Sequence, residues 1–163
     1  YRRYAPRILD YFRYLTFQRS LSEDLLQETF MKVWRGLHRF EPKAPFPHFL
    51  YRLARNVWID HTRLKKNSER TAHEDLIQKQ TENAAGPEES AVLRETRIEV
   101  RKAIDALPDS MRETLILSKF QGMKNREIAS ILDIPEGTVE SRLSKAYREL
   151  RSVLHSRIGA PSS

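Results

Sequence analysis

The sequence predicts an all-α protein built from two small helical domains joined by a flexible linker. Apolar residues recur at spacings of three and four along most of the chain, and no stretch alternates apolar and polar residues as a strand would. A polar stretch containing Ala84-Ala85-Gly86-Pro87 interrupts this periodicity. We therefore expect a first domain at 1–66, a linker at 67–90 and a second domain at 91–158.

Three helices are predicted in the first domain. The first covers the opening stretch, the second runs from about Ser22 to His38 with Ser22 as its N-cap, and the third begins near Pro47 after a proline-rich loop. Their apolar stripes are Ile8, Leu9, Tyr11, Phe12 and Leu15 in the first helix, Leu26, Phe30, Val33 and Leu37 in the second, and Leu50, Leu53, Ala54 and Val57 in the third. Within the linker, a short helix around Glu74 to Gln80 is a further possibility.

The second domain begins with an apolar stripe that stops before Pro108, namely Leu93, Val100, Ile104 and Leu107. A helix from Asp109 to Phe120 is expected to end at Gly122, a residue type that readily adopts the left-handed conformation of helix ends. Two further helices follow, at about 125–132 and 136–154, with Asn125 expected to cap the first of them.

These last two helices have the pattern of a DNA-binding helix-turn-helix, with a tight turn at Asp133-Ile134-Pro135. In the second of them, Val139, Leu143, Ala146 and Leu150 form the core stripe, while Thr138, Ser141, Arg142 and Lys145 lie on a different face. Arg142 suits a guanine, and Lys145 and Arg148 suit phosphates. Glu140 either accepts a hydrogen bond from cytosine or faces solvent. The alternative for the whole segment is an ordinary amphipathic helix with a solvated face.

The charge distribution favours nucleic acid as a partner. The chain has 29 Lys and Arg against 22 Asp and Glu, which gives a net charge of +7. Residues 1–63 hold 12 basic and 6 acidic groups, residues 97–163 hold 12 and 9, and the segment between them is net acidic. Basic side chains gain affinity for nucleic acid by releasing the counterions of its phosphates.

Several classes of site and location are not expected. The absence of cysteine excludes disulfides and thiolate metal sites, and no apolar run approaches the roughly 20 residues of a membrane span. We expect a cytoplasmic protein with no metal, cofactor or catalytic residue. Because the sequence begins at Tyr1 inside a predicted helix, we also expect the native chain to start further upstream. The five histidines do not have the spacing of metal ligands. They are His38, His48, His61, His73 and His155.

Two neighbouring stretches of the first domain have opposite character. Asp24, Gln27 and Glu28 share one helix face, which suits a basic protein partner, although ordinary helix solubility explains it equally well. The following stretch combines three phenylalanines with one polar helix face, which suits unstacked bases of single-stranded nucleic acid. Its members are Phe40, Phe46, Phe49, Arg52, Arg55, Asn56 and Arg63. The phenylalanines could instead belong to the core.

Together these motifs resemble the extracytoplasmic-function family of bacterial sigma factors, and the resemblance covers nearly the whole chain. The segments similar to sigma region two are 23–30, Lys32-Val33-Trp34, 49–56 and Asp60-His61-Thr62-Arg63. The segments similar to region four are Ala106-Leu107-Pro108, Gly122-Met123, Glu127-Ile128-Ala129 and 137–143.

The resemblance implies a promoter-recognition subunit of RNA polymerase, with region two in the first domain and region four in the second. Binding to the coiled coil of the polymerase β′ subunit is implied for Asp24, Leu25, Gln27, Glu28 and Phe30. Contact with the −10 element is implied for Phe46 in the 41–47 loop, which captures a flipped base, and for Arg52, Arg55, Asn56 and Arg63. Contact with the −35 element is implied for Thr138, Glu140, Ser141, Arg142, Ser144, Lys145 and Arg148.

The implied partners are core RNA polymerase through its β′ coiled coil and β flap, promoter DNA, and an anti-sigma factor. The acidic linker resembles the arm that such factors thread through the polymerase. Three alternatives remain at this point. A helix-turn-helix regulator without sigma activity would need a ligand pocket or a dimer helix, a nuclease would need a third metal-binding carboxylate, and a structural protein would not need two basic faces.

Overall fold

The computed structural model describes residues 1–37, 45–71 and 91–158, and within these ranges it contains seven α-helices and no strand. The helices form two compact units. The first unit contains α1–α3, and the second contains α4, α5, α7 and most of α6. This architecture confirms the predicted all-α class. The bounds are Ala5–Thr16 (α1), Arg19–Gly36 (α2), Phe46–Thr71 (α3), Ala91–Asp105 (α4), Asp109–Leu115 (α5), Asn125–Leu132 (α6) and Glu136–Ile158 (α7).

In the first unit, α2 packs against both α1 and α3. The stripe predicted for α1 is buried except for Leu9, which is only half-buried. In α3, Tyr51 is buried although it was not predicted to be, and Leu53, which was predicted to be buried, is only half-buried. The core contributions of these two helices are Ala5, Ile8, Tyr11, Phe12 and Leu15 from α1, and Leu50, Tyr51, Ala54 and Val57 from α3.

The start of α2 differs from its prediction. The helix begins at Arg19, and Ser22 lies inside it rather than capping it. The Ser22 hydroxyl donates to the carbonyl oxygen of Gln18 at 2.6 Å and lies 2.8 Å from the Thr16 hydroxyl oxygen. Because these two partners satisfy the hydroxyl, serine can be fully buried at this position. The prediction of Ser22 as an N-cap is therefore wrong.

The buried side of α2 is also rotated from its predicted position. Leu25 and Thr29 are almost fully buried, whereas Leu37 is 49% exposed and Phe30 is only half-buried. The Thr29 hydroxyl donates to the carbonyl oxygen of Leu25 at 2.7 Å, which removes most of the cost of burying it. Because Leu25 and Thr29 lie on the buried side of α2, the neighbouring Phe30 is directed away from the core.

The third helix is longer than predicted. It begins at Phe46 and continues to Thr71, so residues 67–71 of the predicted linker are helical. Phe46 consequently lies in the first helical turn rather than in the preceding loop. The helix predicted around residues 74–80 lies outside the described residues, as do His38 and Phe40.

Burial of Tyr51 predicts a pH dependence of the first unit. The Tyr51 ring meets the Tyr11 ring edge-on, with 5.6 Å between the ring centroids. Burial raises the pKa of Tyr51 from 10.0 to about 12. The folded state therefore keeps a proton that the unfolded state releases, and the stability due to this group is fully present below about pH 10 and is lost by about pH 12. We expect the free energy of unfolding to fall by about 2 kcal/mol across this window.

Urea unfolding between pH 9 and 12 measures this effect, with Tyr51→Phe as the comparison. The substitution removes the titrating group, so the variant is expected to show a flatter profile than the wild type. Equal slopes for the two proteins would show that other groups cause the loss.

In the second unit, α7 packs against both α4 and α5. Only the C-terminal half of the α4 stripe is buried, since Leu93 is 61% exposed. The core stripe of α7 is confirmed at three positions, while Leu150 is half-buried. The buried apolar residues are Ala103, Ile104, Leu107, Leu115, Ile116, Leu117, Ile128, Ile131, Leu132, Val139, Leu143 and Ala146.

The helix predicted from Asp109 to Phe120 consists of α5 and a π-helical turn, Ile116–Phe120. The backbone N–H of Gln121 donates to the carbonyl oxygen of Ile116 at 3.1 Å, five residues earlier. Gly122 follows with a φ of +66°, which confirms it as the point where the helix ends.

The two helices and the tight turn predicted for the helix-turn-helix are present, with one difference at their start. Lys124 is the N-cap residue of α6, and its backbone N–H donates to the Glu127 carboxylate at 2.8 Å. The expected Asn125 cap is therefore wrong, because Asn125 is already the first residue of the helix and Lys124 precedes it as the N-cap. Asp133 ends α6 in the left-handed conformation, with a φ of 55°.

Candidate protein-docking and nucleic-acid interfaces

A groove of about 930 Å³ lies along α1 and α2 in the first unit. Of the residues predicted to dock a protein partner, Asp24, Gln27 and Phe30 line it. Leu25 lies beneath this face and is 2% exposed, so its side chain belongs to the core. The complete lining is Tyr1, Leu9, Glu23, Asp24, Leu26, Gln27, Phe30, Met31, Trp34 and Arg35.

The groove contains large apolar side chains that the sequence analysis did not assign to it. Trp34 is 81% exposed and Met31 is 48% exposed. Both lie on the α2 face that carries Gln27 and Phe30, since Trp34 follows them by seven and four residues. That spacing was visible in the sequence, but an exposed tryptophan cannot be told from a buried one by spacing alone. Exposed apolar surface next to polar residues is typical of protein interfaces.

The acidic residues beside the groove differ in how their charges are balanced. Glu23 is paired with Arg19 at 3.0 Å, and Glu28 is paired with Lys32 at 3.1 Å. Asp24 forms no ion pair with any residue in the described part of the chain. Its negative charge is therefore available to a basic partner.

The Lys32 ammonium group also reaches α3, where it lies 3.4 Å from the Asp60 carboxylate. The hydrogen bond to Glu28 is the main cause that raises the pKa of Lys32, and the charges of Glu28 and Asp60 act in the same direction. Lys32 is thus held protonated between two carboxylates from two helices.

The polar face predicted on α3 exists as a continuous strip. At about 100° per residue, Arg52, Asn56 and Arg63 fall within roughly 40° of one another, and Arg55 lies about 60° from Arg52. The first three side chains are exposed, whereas Arg55 is half-buried. Three guanidinium groups and one amide along a helix can contact phosphates and base edges together.

The aromatic part of this region lies at the start of α3. The centroid of the Phe46 ring is 5.4 Å from that of the Tyr4 ring and 6.1 Å from that of the Phe49 ring. Both phenylalanines are half-buried. The alternative that these phenylalanines belong to the core is therefore confirmed in part, and their contact with bases stays a prediction. Each ring contributes to packing and keeps an accessible surface on which a base could stack.

The basic face of α7 is also formed as predicted. Ser141, Lys145 and Arg148 are exposed, and Arg142 and Thr138 are partly exposed. None of the three basic side chains forms an ion pair with another described residue. Their positive charge is consequently not neutralised within the second unit, as a phosphate-binding face requires.

Two residues predicted for this face lie apart from its centre. On a helix, Glu140 is about 160° from Thr138, and Ser144 is about 100° from Lys145. Both are exposed, and Glu140 lies on the side of α7 that carries Tyr147. There the Lys119 ammonium group is 5.5 Å from the centre of the Tyr147 ring. Glu140 therefore lies outside the basic face of α7.

Among the described residues, no group of three His, Asp or Glu side chains is placed to hold a metal ion. None of the helices described combines the length and the apolar character needed to cross a membrane.

Comparison with protein families gives two matches in the order of the two units. Residues 1–69 match sigma-70 region 2, and residues 97–150 match sigma-70 region 4. The first match contains the groove and the α3 face, and the second contains the helix-turn-helix.

Individual proteins show the same likeness along the chain. The extracytoplasmic-function RNA polymerase sigma factor SigM of Bacillus subtilis is 30% identical over 154 residues, which cover 94% of this chain and 91% of SigM. SigW of the same organism is 32% identical over 140 residues, which cover 82% of this chain and 75% of SigW. Among solved structures, the sigma factor RpoE of Bartonella quintana in complex with the anti-sigma factor NepR has a TM-score of 0.78 at 24% identity, covering 92% of this chain and 91% of that one.

Proposed function

Because this chain belongs to the extracytoplasmic-function family of RNA polymerase sigma factors and directs that enzyme in transcription initiation, we propose a division of labour between its two units. The first unit, which contains α1–α3 and so ends with the helix at Thr71, binds core polymerase and the −10 element as region two. The second, residues 91–158, binds the −35 element as region four, and residues 72–90 connect them. The observation that carries this proposal is the combination of an acidic-edged apolar groove and an unpaired basic helix face in one chain.

Core polymerase is proposed to bind along the groove of α1 and α2. Phe30, Met31 and Trp34 offer an apolar surface, while Asp24 and Gln27 offer a carboxylate and an amide at its edge. A helix with apolar and basic side chains, such as one helix of the β′ coiled coil, complements both features. Glu28 contributes to the electrostatic edge, and Leu25 supports the face from below.

The −10 element is proposed to bind α3 as an open single strand. Arg52, Arg55, Asn56 and Arg63 hold the backbone and read base edges, and Phe46 stacks on a flipped base. Unstacking a base costs a few kcal/mol. Contacts with the polar strip and stacking on an aromatic ring, worth about 1–3 kcal/mol per base, offset this cost.

The −35 element is proposed to bind α7 as closed duplex. Thr138, Ser141 and Arg142 face the bases, while Lys145 and Arg148 hold phosphates, with Glu140 and Ser144 at the edge of the contact. Each well-placed base contact is worth about 1–3 kcal/mol of discrimination. The second unit is also proposed to contact the β flap, so that polymerase holds both units on one promoter and the weak contacts add up.

Regulation by an anti-sigma factor in the cytoplasm completes the proposal. The related RpoE of B. quintana was solved in complex with such a protein. A factor that covered either the groove or the basic face of α7 would prevent promoter binding without any covalent change.

The alternatives fit these observations less well. A helix-turn-helix regulator acting alone has no use for a second region matched to sigma region 2. Sigma factors act as initiation factors and are not themselves catalysts. We accordingly propose that this chain works by binding and remodelling DNA with no chemistry of its own.

Transcription in vitro tests the function directly. Fragmented genomic DNA of the source organism is transcribed by its core polymerase with and without the purified chain, and RNA 5′ ends are sequenced. We expect a discrete set of start sites that requires the chain and shares two upstream motifs. Binding of the chain to discrete DNA sites without polymerase, with no dependent start sites, would favour the repressor alternative.

The −35 assignment makes its own prediction on a promoter found in this way. Arg142→Ala is expected to weaken holoenzyme binding by about 1–3 kcal/mol and to relax sequence preference at one −35 position, because it removes a bidentate base contact. Lys145→Ala is expected to weaken binding to all −35 sequences about equally. Fluorescence anisotropy with labelled promoter duplexes measures both effects, and Arg94→Ala, an exposed arginine of α4, is the control. Equal losses for all three variants would argue against a reading face on α7.

A further inference from the structure

Lys32 connects the two functional faces of the first unit. Its ammonium nitrogen lies 3.1 Å from the Glu28 carboxylate on α2 and 3.4 Å from the Asp60 carboxylate on α3. The Lys32 side chain is 35% exposed, and those of Glu28 and Asp60 are 50% and 55% exposed. Since exposed ion pairs contribute little to folding, the energetic value of this contact in the isolated protein is small. Its position suggests a different use.

Asp60 lies at the edge of the polar strip of α3. Around the helix axis it is about 40° from Asn56 and about 60° from Arg63, which it precedes by one turn. A carboxylate at this position adds a negative charge next to three arginines that are proposed to hold a DNA strand. Left unpaired, it would repel phosphates and weaken the arginines through the same field. The strip works best when this charge is cancelled.

We propose that Lys32 is a positioning residue for recognition of the open −10 strand, which it supports by neutralising Asp60 and holding that carboxylate against α2. This inference rests on the proposed −10 function of α3. Lys32 need not touch DNA for this role, because its ammonium group already has two carboxylate partners. The lysine therefore serves the DNA face from the helix that is proposed to dock the polymerase.

Binding of a −10 strand by the holoenzyme tests the proposal. The probe is a labelled single-stranded oligonucleotide carrying the −10 sequence of a promoter mapped by in vitro transcription. We expect Lys32→Met, which keeps the apolar stem and removes the charge, to lower affinity for this probe about five- to tenfold at low salt. The deficit is expected to shrink as salt is raised, since screening weakens the repulsion by Asp60.

The double variant distinguishes neutralisation from direct contact. If Lys32 acts through Asp60, then adding Asp60→Asn to Lys32→Met removes the unpaired charge beside the arginines of α3 and leaves only Glu28, on α2, without its lysine partner. The double variant is expected to restore affinity to within about twofold of wild type. Arg13→Met is the matched control, because it removes a cation and its 3.5 Å ion pair with Asp10 on α1. That control is expected to bind the probe like the wild type.

Two results would overturn the proposal. One is unchanged probe binding by Lys32→Met, and the other is a loss that Asp60→Asn fails to rescue, which would mean that Lys32 contacts the strand itself. Thermal unfolding of each variant shows whether a loss reflects folding, and an unfolded Lys32→Met protein would also count against the proposal. Failure of the −10 function itself is recognised separately, because the wild-type holoenzyme would then not bind the probe.

Discussion

Reversal of the Asp24 charge is expected to lower the affinity of the chain for core RNA polymerase by about 2–3 kcal/mol, roughly 30- to 150-fold. Asp24 lines the groove and is not paired with any other described residue, so Asp24→Arg both removes an attraction and introduces a repulsion toward a basic partner. Asp24→Ala should act in the same direction with a smaller effect. Because Asp24 is exposed, the fold should be retained.

Competition with labelled wild-type chain for core polymerase measures this loss. Glu95→Arg is the matched control, since it makes the same charge change at an exposed position of α4. Thermal unfolding of both variants should match that of the wild type. An affinity for core polymerase equal to that of the control would refute the docking role of the groove.

Replacement of Arg112 is expected to have the largest effect on stability. This side chain is 11% exposed, and its guanidinium group donates to both the backbone carbonyl and the carboxylate of Asp105, each at 3.0 Å. It also donates to the Asp109 carboxylate at 2.6 Å, so it ties the end of α4 to the first turn of α5. Arg112→Met leaves these acceptors without their partner and should destabilise the second unit by about 2–4 kcal/mol.

Hydrogen exchange of the full chain localises this effect. Backbone amides of α5 and α7 should lose protection in Arg112→Met, while those of α1 and α3 should keep theirs, and binding to −35 duplex should weaken as a consequence. Arg151→Met, an exposed arginine of α7, is expected to change stability by less than about 0.5 kcal/mol. Equal protection in both variants would show that the Arg112 contacts are dispensable.

Much of the fold could be predicted from the sequence. A helix that buries one face carries apolar residues at spacings of three and four, and this spacing can be read directly from the sequence. The stripe of α1, the turn of the helix-turn-helix and the end at Gly122 are examples. The start of α2 could not be predicted, because Ser22 has the residue type of a cap and yet is buried. Its hydroxyl is satisfied by Gln18 and Thr16, which depends on how the chain turns between two helices.

The candidate sites show a similar division. The basic face of α7 could be predicted, because charge and spacing define it together. The groove was predicted only in part. Its acidic residues could be identified from the sequence, whereas Trp34 and Met31 are residue types that usually lie in a protein core. Whether such side chains are covered depends on which helices pack beside them. The Lys32–Asp60 contact joins residues of two helices, and no local pattern indicates it.

The π-helical turn at the end of α5 has a consequence for chain length. A wide turn accommodates one residue more than an α-helical turn, and here the backbone N–H of Gln121 reaches back five residues. Deletion of a single residue between Ile116 and Phe120 could therefore be absorbed by closing the wide turn into a regular one. Alignments of this chain to relatives with a shorter α5 should accordingly place their gap in this turn, and not in the helix-turn-helix that follows.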